Sequence, residues 1–294
     1  GGASMGLNIV FGMDTRTAAA IRGILGILLF ASPKMGGVLD NTAKVLGTVM
    51  LVLIGYVAFS TNPPVAEAAT HAIVPTNYPW LATITLIGGT VGGYITFSGG
   101  HRLIDAGITG REHLKDVRRA AFMGMSVDAI VRILLFLAVL GVVSMGFALD
   151  PKDPAGSAFL LGAGEIGHKL FGIVFFCAAL TSVVGAAYTS VSFLKTLFKV
   201  VERYEKLTIM AFIFISTCIL IFIGKPATLL ILAGSVNGLI LPITLAVMLF
   251  ATHKSDIVGD YKHNKLLYYT GWIVVLVTAY IGVTSLQGIA KLLG

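Results

Sequence analysis

A glycine-rich stretch between two apolar segments contains the residues whose types and spacing best suit binding of an ion or a small solute. Residues 86–101 read LIGGTVGGYITFSGGH, and six of the thirteen positions from Gly88 to Gly100 are glycine. Each glycine costs a helix about 1 kcal/mol relative to alanine, so we predict that a membrane helix over residues 80–104 is interrupted near its middle. Backbone groups freed at bilayer depth line cavities and act as ligands in broken helices of this kind. The candidate binding residues are Gly89, Thr90, Val91, Gly92, Gly93 and Tyr94, of which Gly89 and Thr90 are candidate metal ligands.

The same glycines also fit a second interpretation, in which they allow two helices to pack closely. Gly88 with Gly92, and Gly89 with Gly93, are pairs of small residues four positions apart. This spacing is typical of close helix contacts in membranes. The two interpretations are compatible, and we favour the broken helix.

Asn237 is a further candidate ligand from a different part of the chain. It is a neutral polar residue within an apolar segment, and Pro242 follows shortly after it. The proline predicts a kink or break in that helix. An asparagine beside such a break could bind an ion or solute, or it could form a hydrogen bond between helices; both interpretations stay open.

Asp128 and Arg132 form a charged pair within another apolar segment, at the i,i+4 spacing of neighbours on one helix face. Charges inside a membrane are costly and usually face a cavity, so the pair is a candidate for gating or ion coupling. The alternative is that the two residues pair with each other near the interface, close to Arg118 and Arg119.

Composition places all of these residues in a membrane protein. Of 294 residues, 56% are hydrophobic and 12% are charged, and the mean hydropathy is +0.91, whereas about a quarter of the residues in a soluble domain are charged. We predict an all-α polytopic membrane protein of about eight transmembrane helices, each with roughly the 20 apolar residues that a bilayer requires. The predicted spans are residues 14–31, 42–60, 80–104, 117–147, 170–198, 207–224, 228–252 and 266–293.

The first span and two of the connecting segments carry further expectations. Arg16 and Arg22 make the first span marginal on its own, so one of its faces must meet protein or lipid headgroups. Residues 61–79 are predicted to be a loop, and residues 155–168 a short surface helix or re-entrant segment before the fifth span.

The distribution of charge predicts the orientation of the helices. Lys and Arg are concentrated in alternate connections, which is the pattern of cytoplasmic loops. The loops that we place in the cytoplasm are residues 32–41, 101–119, 195–206 and 253–265. The net charge of +7 is therefore explained by a multi-pass protein of a bacterial-type plasma membrane, whose partner is the lipid bilayer, and it does not indicate binding to nucleic acid.

The sequence contains no pattern that is typical of an enzyme. Cys177 and Cys218 are isolated in apolar runs, so they form no CxxC metal pair. We find no Ser/His/Asp set, pair of catalytic carboxylates or His-x₃-His pattern. We therefore predict that the protein is not an enzyme and has no cofactor.

The order of the spans resembles the NRAMP divalent-metal transporters, from their fourth helix to their eleventh. Residues 6–12 are similar to the beginning of the fourth helix, and residues 89–94 fall where the family's sixth helix has Ala-Thr-Val-Met-Pro-His. Residues 178–189 resemble the small, hydroxyl-rich eighth helix, and residues 239–242 resemble the tenth.

This resemblance implies a LeuT-like (APC-type) inverted-repeat transporter whose first helices precede Gly1. Residues 1–294 would then be a single transporter domain. Within it, residues 14–60 would be the end of the first repeat, residues 80–252 the second repeat, and residues 266–293 an extra C-terminal helix.

The chain departs from the family's pattern at the positions that bind metal. Gly92 stands where the sixth helix has its metal-binding Met, and Gly93 and Tyr94 replace the Pro-His that follows. The Gln of the tenth helix falls near Gly234 or Ser235, with Asn237 a neighbour. The Arg of the ninth helix, which the family associates with proton transfer, has no counterpart in residues 207–224, and the Asp-Pro-Gly-Asn motif of the first helix would lie upstream of Gly1.

These departures shape the expected substrate. Loss of the thioether removes the soft ligand that favours Mn, Fe or Cd over Mg and Ca, whereas carbonyl groups near Gly89 and the hydroxyl of Thr90 suit a hard, partly hydrated cation. We expect a secondary transporter of a divalent cation of the Mg²⁺ or Mn²⁺ type, with the metal as transported substrate. One alternative is a transporter of a small organic solute, amino-acid-like or carboxylate, because half-helix N-termini attract carboxylates. Another is a non-transporting or split-transporter membrane subunit.

Overall fold

The long apolar runs of the sequence form long helices. The computed structural model describes residues 1–31, 33–91, 100 and 103–293, and within these ranges it describes side chains except at residues 31–44 and 291–293. In chain order the described helices are α1 (Gly2–Phe11), α2 (Thr15–Ala31), α3 (Pro33–Ser60), α4 (Val65–Ile73), α5 (Trp80–Thr90), α6 (Leu114–Ser144), α7 (Pro154–Leu197), α8 (Lys199–Arg203), α9 (Glu205–Ile223), α10 (Pro226–Ala251), α11 (Ser255–Val258) and α12 (Lys265–Leu293).

These helices confirm the prediction of an all-α polytopic membrane protein. Within the described ranges no strand is present, and α6, α7, α9, α10 and α12 are each long and apolar enough to cross a bilayer. A sixth crossing is formed if Val45–Ser60 and Val65–Ile73, which meet at a bend of 103°, count as one broken span. The total of about eight spans and the LeuT-like arrangement stay predictions.

Three connections differ from the sequence-based expectation. The predicted loop of residues 61–79 contains α4, in which Glu67 and His71 pair at 3.7 Å one turn apart. The predicted loop of residues 32–41 is helical from Pro33, which is a favourable first residue because it has no N–H group to leave unpaired. α4 is nine residues long, too short to cross a bilayer alone, and residues 33–41 continue without a break into the predicted span that follows them.

The third difference is in α7, where the sequence predicts a surface segment followed by a separate span. The segment Pro154–Leu197 consists of two helices that meet at a kink at Gly164, whose backbone angles (φ 66°, ψ −171°) glycine adopts without strain. The carboxylate of Asp153 accepts a hydrogen bond from the Gly156 N–H at 3.0 Å and caps the first turn. The break that the sequence places after residue 168 therefore lies at Gly164, four residues earlier.

The described helices pack into two compact units. The first contains Gly1–Thr76 and Leu103–Ala227, and the second contains Asn77–Arg102 and Thr228–Gly294. In the first unit α1 lies against α7 so closely that a Cβ added at Gly6 would come within 2.7 Å of the Gly172 carbonyl oxygen. The single transporter domain and its repeats stay a prediction.

Arg22 of α2 is buried in the first unit, with 3% of its surface exposed. Its Nη2 donates a hydrogen bond to Thr217 Oγ1 of α9 at 2.7 Å, and its Nε has no acceptor among the described residues. The expectation that one face of the first span must meet protein is thus confirmed at Arg22. A guanidinium in this position depends strongly on its one described acceptor, since leaving a buried charge unpaired is costly.

We therefore expect that Thr217→Val will destabilise the protein by about 1.5–3 kcal/mol, the range for a hydrogen bond to a charged group. Thermal unfolding of the purified protein in detergent would measure the change. Thr208→Val on the same helix is the control, because the Thr208 hydroxyl bonds only the Tyr204 carbonyl of its own helix. Equal losses for both variants would contradict the role assigned to Thr217.

Candidate functional site

The candidate binding residues of the sequence belong to the second unit. α5 ends at Thr90, and Val91 follows in a turn. Gly92, Gly93 and Tyr94 lie outside the described residues, so the interruption of the helix beyond Val91 stays a prediction.

α5 and α10 touch through their backbones. A Cβ added at Gly88 would overlap the Gly234 carbonyl oxygen and the Gly238 nitrogen, and one added at Gly238 would lie 2.5 Å from the Ile84 carbonyl oxygen. Three glycines therefore permit this crossing, which is the close packing that small residues four positions apart predict. For Gly88 the packing interpretation is confirmed.

Gly89 differs from its neighbour. It is exposed, and among the described residues a Cβ added to it would meet no atom within 4 Å outside the backbone of its own helix. Its backbone is therefore accessible, as a ligand position requires. Thr90 is also exposed, and its hydroxyl donates to the Leu86 carbonyl, which leaves the oxygen lone pairs available to accept or to bind a cation.

The structure adds Thr85 and Ser235, a pair that the sequence analysis did not propose. Ser235 is fully buried, and its Oγ lies 2.7 Å from Thr85 Oγ1 across the contact between α10 and α5. Each hydroxyl also lies within hydrogen-bonding distance of a carbonyl of its own helix, Leu81 for Thr85 and Ile231 for Ser235. Because the two hydroxyls have two protons between them, two of these three contacts are hydrogen bonds at any one time. A signal was present, because Ser235 stands between Gly234 and Gly238, the two glycines of the contact.

Asn237 is half-buried on α10, next to Gly238. Pro242 lies inside α10, which continues to Ala251, so the helix is not broken there, and the alternative of a kink at Pro242 stays a prediction. Proline has no N–H group, so it leaves the carbonyl of residue 238 without its helical hydrogen bond. Gly238 itself is buried against α5.

The charged pair on α6 is described in the first unit. Arg132 Nε donates to Asp128 Oδ2 at 2.7 Å, and both side chains are nearly half exposed. The structure thus brings the two residues together as a bonded pair within one helix. Their role in gating or coupling stays a prediction.

The ligand groups among the described residues of the second unit determine which kind of ion it could bind. Over the described ranges, no group of three or more His, Cys, Asp or Glu side chains is placed to hold a metal. α5 and α10 contain no charged residue at all. A cation bound here would be held by backbone, hydroxyl and amide oxygens, the ligands of hard ions.

A cavity of about 320 Å³ lies beside the end of α5, where the candidate residue Val91 is part of its wall, and it is almost wholly apolar. It fits an acyl chain or a side chain better than an ion. Its walls are Ile87, Val91, Leu241, Thr244, Leu245, Met248, Val274 and Thr278.

Comparison with known proteins then identifies the family. The family model described as natural resistance-associated macrophage protein-like, Nramp, matches residues 1–287. The chain belongs to the Nramp family. It is therefore a multi-pass membrane protein of a transporter family, which confirms the resemblance seen in residues 89–94 and 178–189.

Two relatives cover most of this chain. An uncharacterised membrane protein of Haemophilus influenzae is 50% identical over 279 residues, which are 95% of this chain and 70% of that protein. The uncharacterised membrane protein YcsG of Bacillus subtilis is 48% identical over 286 residues, 97% of this chain and 71% of its own length.

The contact between α5 and α10 generates a direct test. Gly88→Ala should destabilise the protein by about 1–3 kcal/mol because the new methyl group overlaps backbone atoms of α10. Gly89→Ala, one residue further, should leave stability unchanged or raise it by about 0.5–1 kcal/mol through helix propensity. Thermal unfolding of both purified Nramp variants would measure the difference, and similar values would show that the helices do not cross at Gly88.

Proposed function

We propose that this Nramp chain carries a divalent metal cation of the Mg²⁺ or Mn²⁺ type across the membrane, as a secondary transporter. The observation that carries the proposal is the family match over residues 1–287, since it covers nearly the whole chain. The metal is cargo, not a resident cofactor.

The proposed site lies where α5 ends beside α10. Gly89 and Thr90 would supply backbone and hydroxyl oxygens, Asn237 an amide oxygen and Gly238 its freed carbonyl. The exposure of Gly89 and the half-buried position of Asn237 support this assignment. Residues 91–94, the remaining candidate binding residues from the sequence, would complete this side of the site.

The ligand types favour a hard cation. Gly92 stands where the family's metal-binding Met would be, so no thioether is supplied at that position. Oxygen ligands suit Mg²⁺ and Mn²⁺, whereas a sulfur ligand shifts preference toward softer ions such as Cd²⁺. Mg²⁺ gives up its water reluctantly and usually keeps part of its hydration shell, which the open space beside Gly89 would accommodate.

Gly92→Met tests this site through its selectivity. In proteoliposomes that contain the protein, the wild type should take up Mg²⁺ and Mn²⁺ and discriminate against Cd²⁺. The added thioether should raise uptake of Cd²⁺ relative to Mg²⁺ by about tenfold, corresponding to about 1.4 kcal/mol of preference. Gly55→Met is the control, because α3 has open space around Gly55 outside the proposed site.

Three outcomes would count against the proposal. An unchanged ratio of Cd²⁺ to Mg²⁺ uptake in Gly92→Met would remove the site from residues 89–94. Saturable counterflow of labelled amino acids or carboxylates, with no dependence on metal, would instead establish a transporter of organic solutes. Absence of any flux from the purified chain would favour a split-transporter subunit.

A further inference from the structure

A short segment carries the chain back into the first unit after the proposed site. The second unit ends its first stretch at Arg102, and the first unit resumes at Leu103. Residues 103–105 are helical and lead into a loop in which Gly107 and Gly110 have positive φ. Leu103 and Ile104 are exposed, so this segment is not held in place by buried apolar side chains.

Asp105 attaches the segment to α7 through polar contacts. Its Oδ2 accepts a hydrogen bond from Ser192 Oγ at 2.6 Å and lies 3.4 Å from the Tyr188 hydroxyl and 3.8 Å from Lys195 Nζ. Tyr188, Ser192 and Lys195 follow one another at intervals of four and three residues, so they share one face of α7. This face ends at the last turn of the helix.

Lys195 extends the attachment to α9. Its Nζ lies 3.0 Å from Glu205 Oε1, and Glu205 is the first residue of α9. The lysine is thus placed between two carboxylates from different segments. Asp105, Tyr188, Ser192, Lys195 and Glu205, here called the Asp105 cluster, join residues 103–105, α7 and α9.

The charged side chains of the cluster are intermediate in exposure, whereas Ser192 is buried. Ser192 is 2% exposed, the Lys195 side chain 20%, and the Asp105 and Glu205 side chains about a third. Contacts of this kind are stronger than those of fully solvated pairs, yet water can replace them when they separate. Water could not replace the contacts of packed apolar side chains in this way.

We infer that the Asp105 cluster is a latch that fixes the chain leaving the proposed site to α7 and α9, and that it opens during transport. The inference rests on the proposed function, because opening serves a transporter that exposes its site to each side in turn. Asp105 is then a positioning residue. It sets how often the segment is released, and it leaves binding of the cation at α5 and α10 unchanged.

Hydrogen–deuterium exchange of the protein in lipid nanodiscs tests the latch without any substrate. Asp105→Asn and Lys195→Gln should speed amide exchange in residues 103–112 about three- to tenfold, because the segment loses its charged anchor. Lys199→Gln and Glu202→Gln are matched controls: they remove the same charges nearby, from exposed side chains of α8. Exchange that is unchanged in both latch variants would overturn the inference.

A charge exchange separates the two carboxylates. Lys195→Glu combined with Glu205→Lys restores an ion pair between α7 and α9 but places a carboxylate beside Asp105. The latch predicts that exchange around residues 198–206 returns to the wild-type rate while residues 103–112 stay fast. Recovery of both segments would show that Asp105 is not the anchor.

Uptake into proteoliposomes gives the second readout. Latch variants should change the maximal rate of cation uptake severalfold while KM stays within about twofold. A change in KM with an unchanged maximal rate would place the cluster in the binding site and overturn the assignment. If the wild type carries no divalent cation, the proposed function fails, whereas the exchange experiment still decides whether the cluster anchors the segment.

Discussion

Contact between helix backbones is the constraint on which each unit of this protein depends. Lipid tails are as apolar as leucine, so helices in a bilayer gain little from hiding apolar side chains and associate through close packing instead. Gly88 on α5 meets Gly234 and Gly238 on α10, and Gly6 on α1 meets Gly172 on α7. In both crossings a single added methyl group would meet backbone atoms, which cannot move aside as the end of a flexible side chain can.

Close approach of the backbones also decides which polar groups find each other. Where α5 and α10 touch, Thr85 and Ser235 come within 2.7 Å; where α2 and α9 pack, Arg22 reaches Thr217. Polar groups buried in an apolar interior are costly when unpaired, so each contact also fixes the register of its two helices. The charged groups of the Asp105 cluster differ from these buried pairs. They are partly exposed, so water can replace each partner when the groups separate.

The sequence predicts the class of fold and most of the long helices, since these follow from runs of apolar residues. It also predicts that Gly88 permits close packing. It does not reveal that Gly234 and Gly238 are the partners, because a contact between distant segments leaves no periodic signal in either. For the same reason the sequence favours Asn237, the more polar residue, over Ser235, although Ser235 lies at the contact. Pro242 does not break α10, because a proline is tolerated inside a membrane helix where other groups satisfy the carbonyl that it frees.

The ligands available on α5 and α10 lead to one further requirement. Both helices lack charged residues, so they present a divalent cation with neutral oxygens only. Neutral oxygens replace water well but do not balance two positive charges, which in proteins is the work of carboxylates. On the proposed function, a carboxylate from a segment other than α5 and α10 would supply this balance. The helix end at Thr90 and the freed carbonyl of Gly238 would then select the cation by size and hydration, while the other segment supplies the charge.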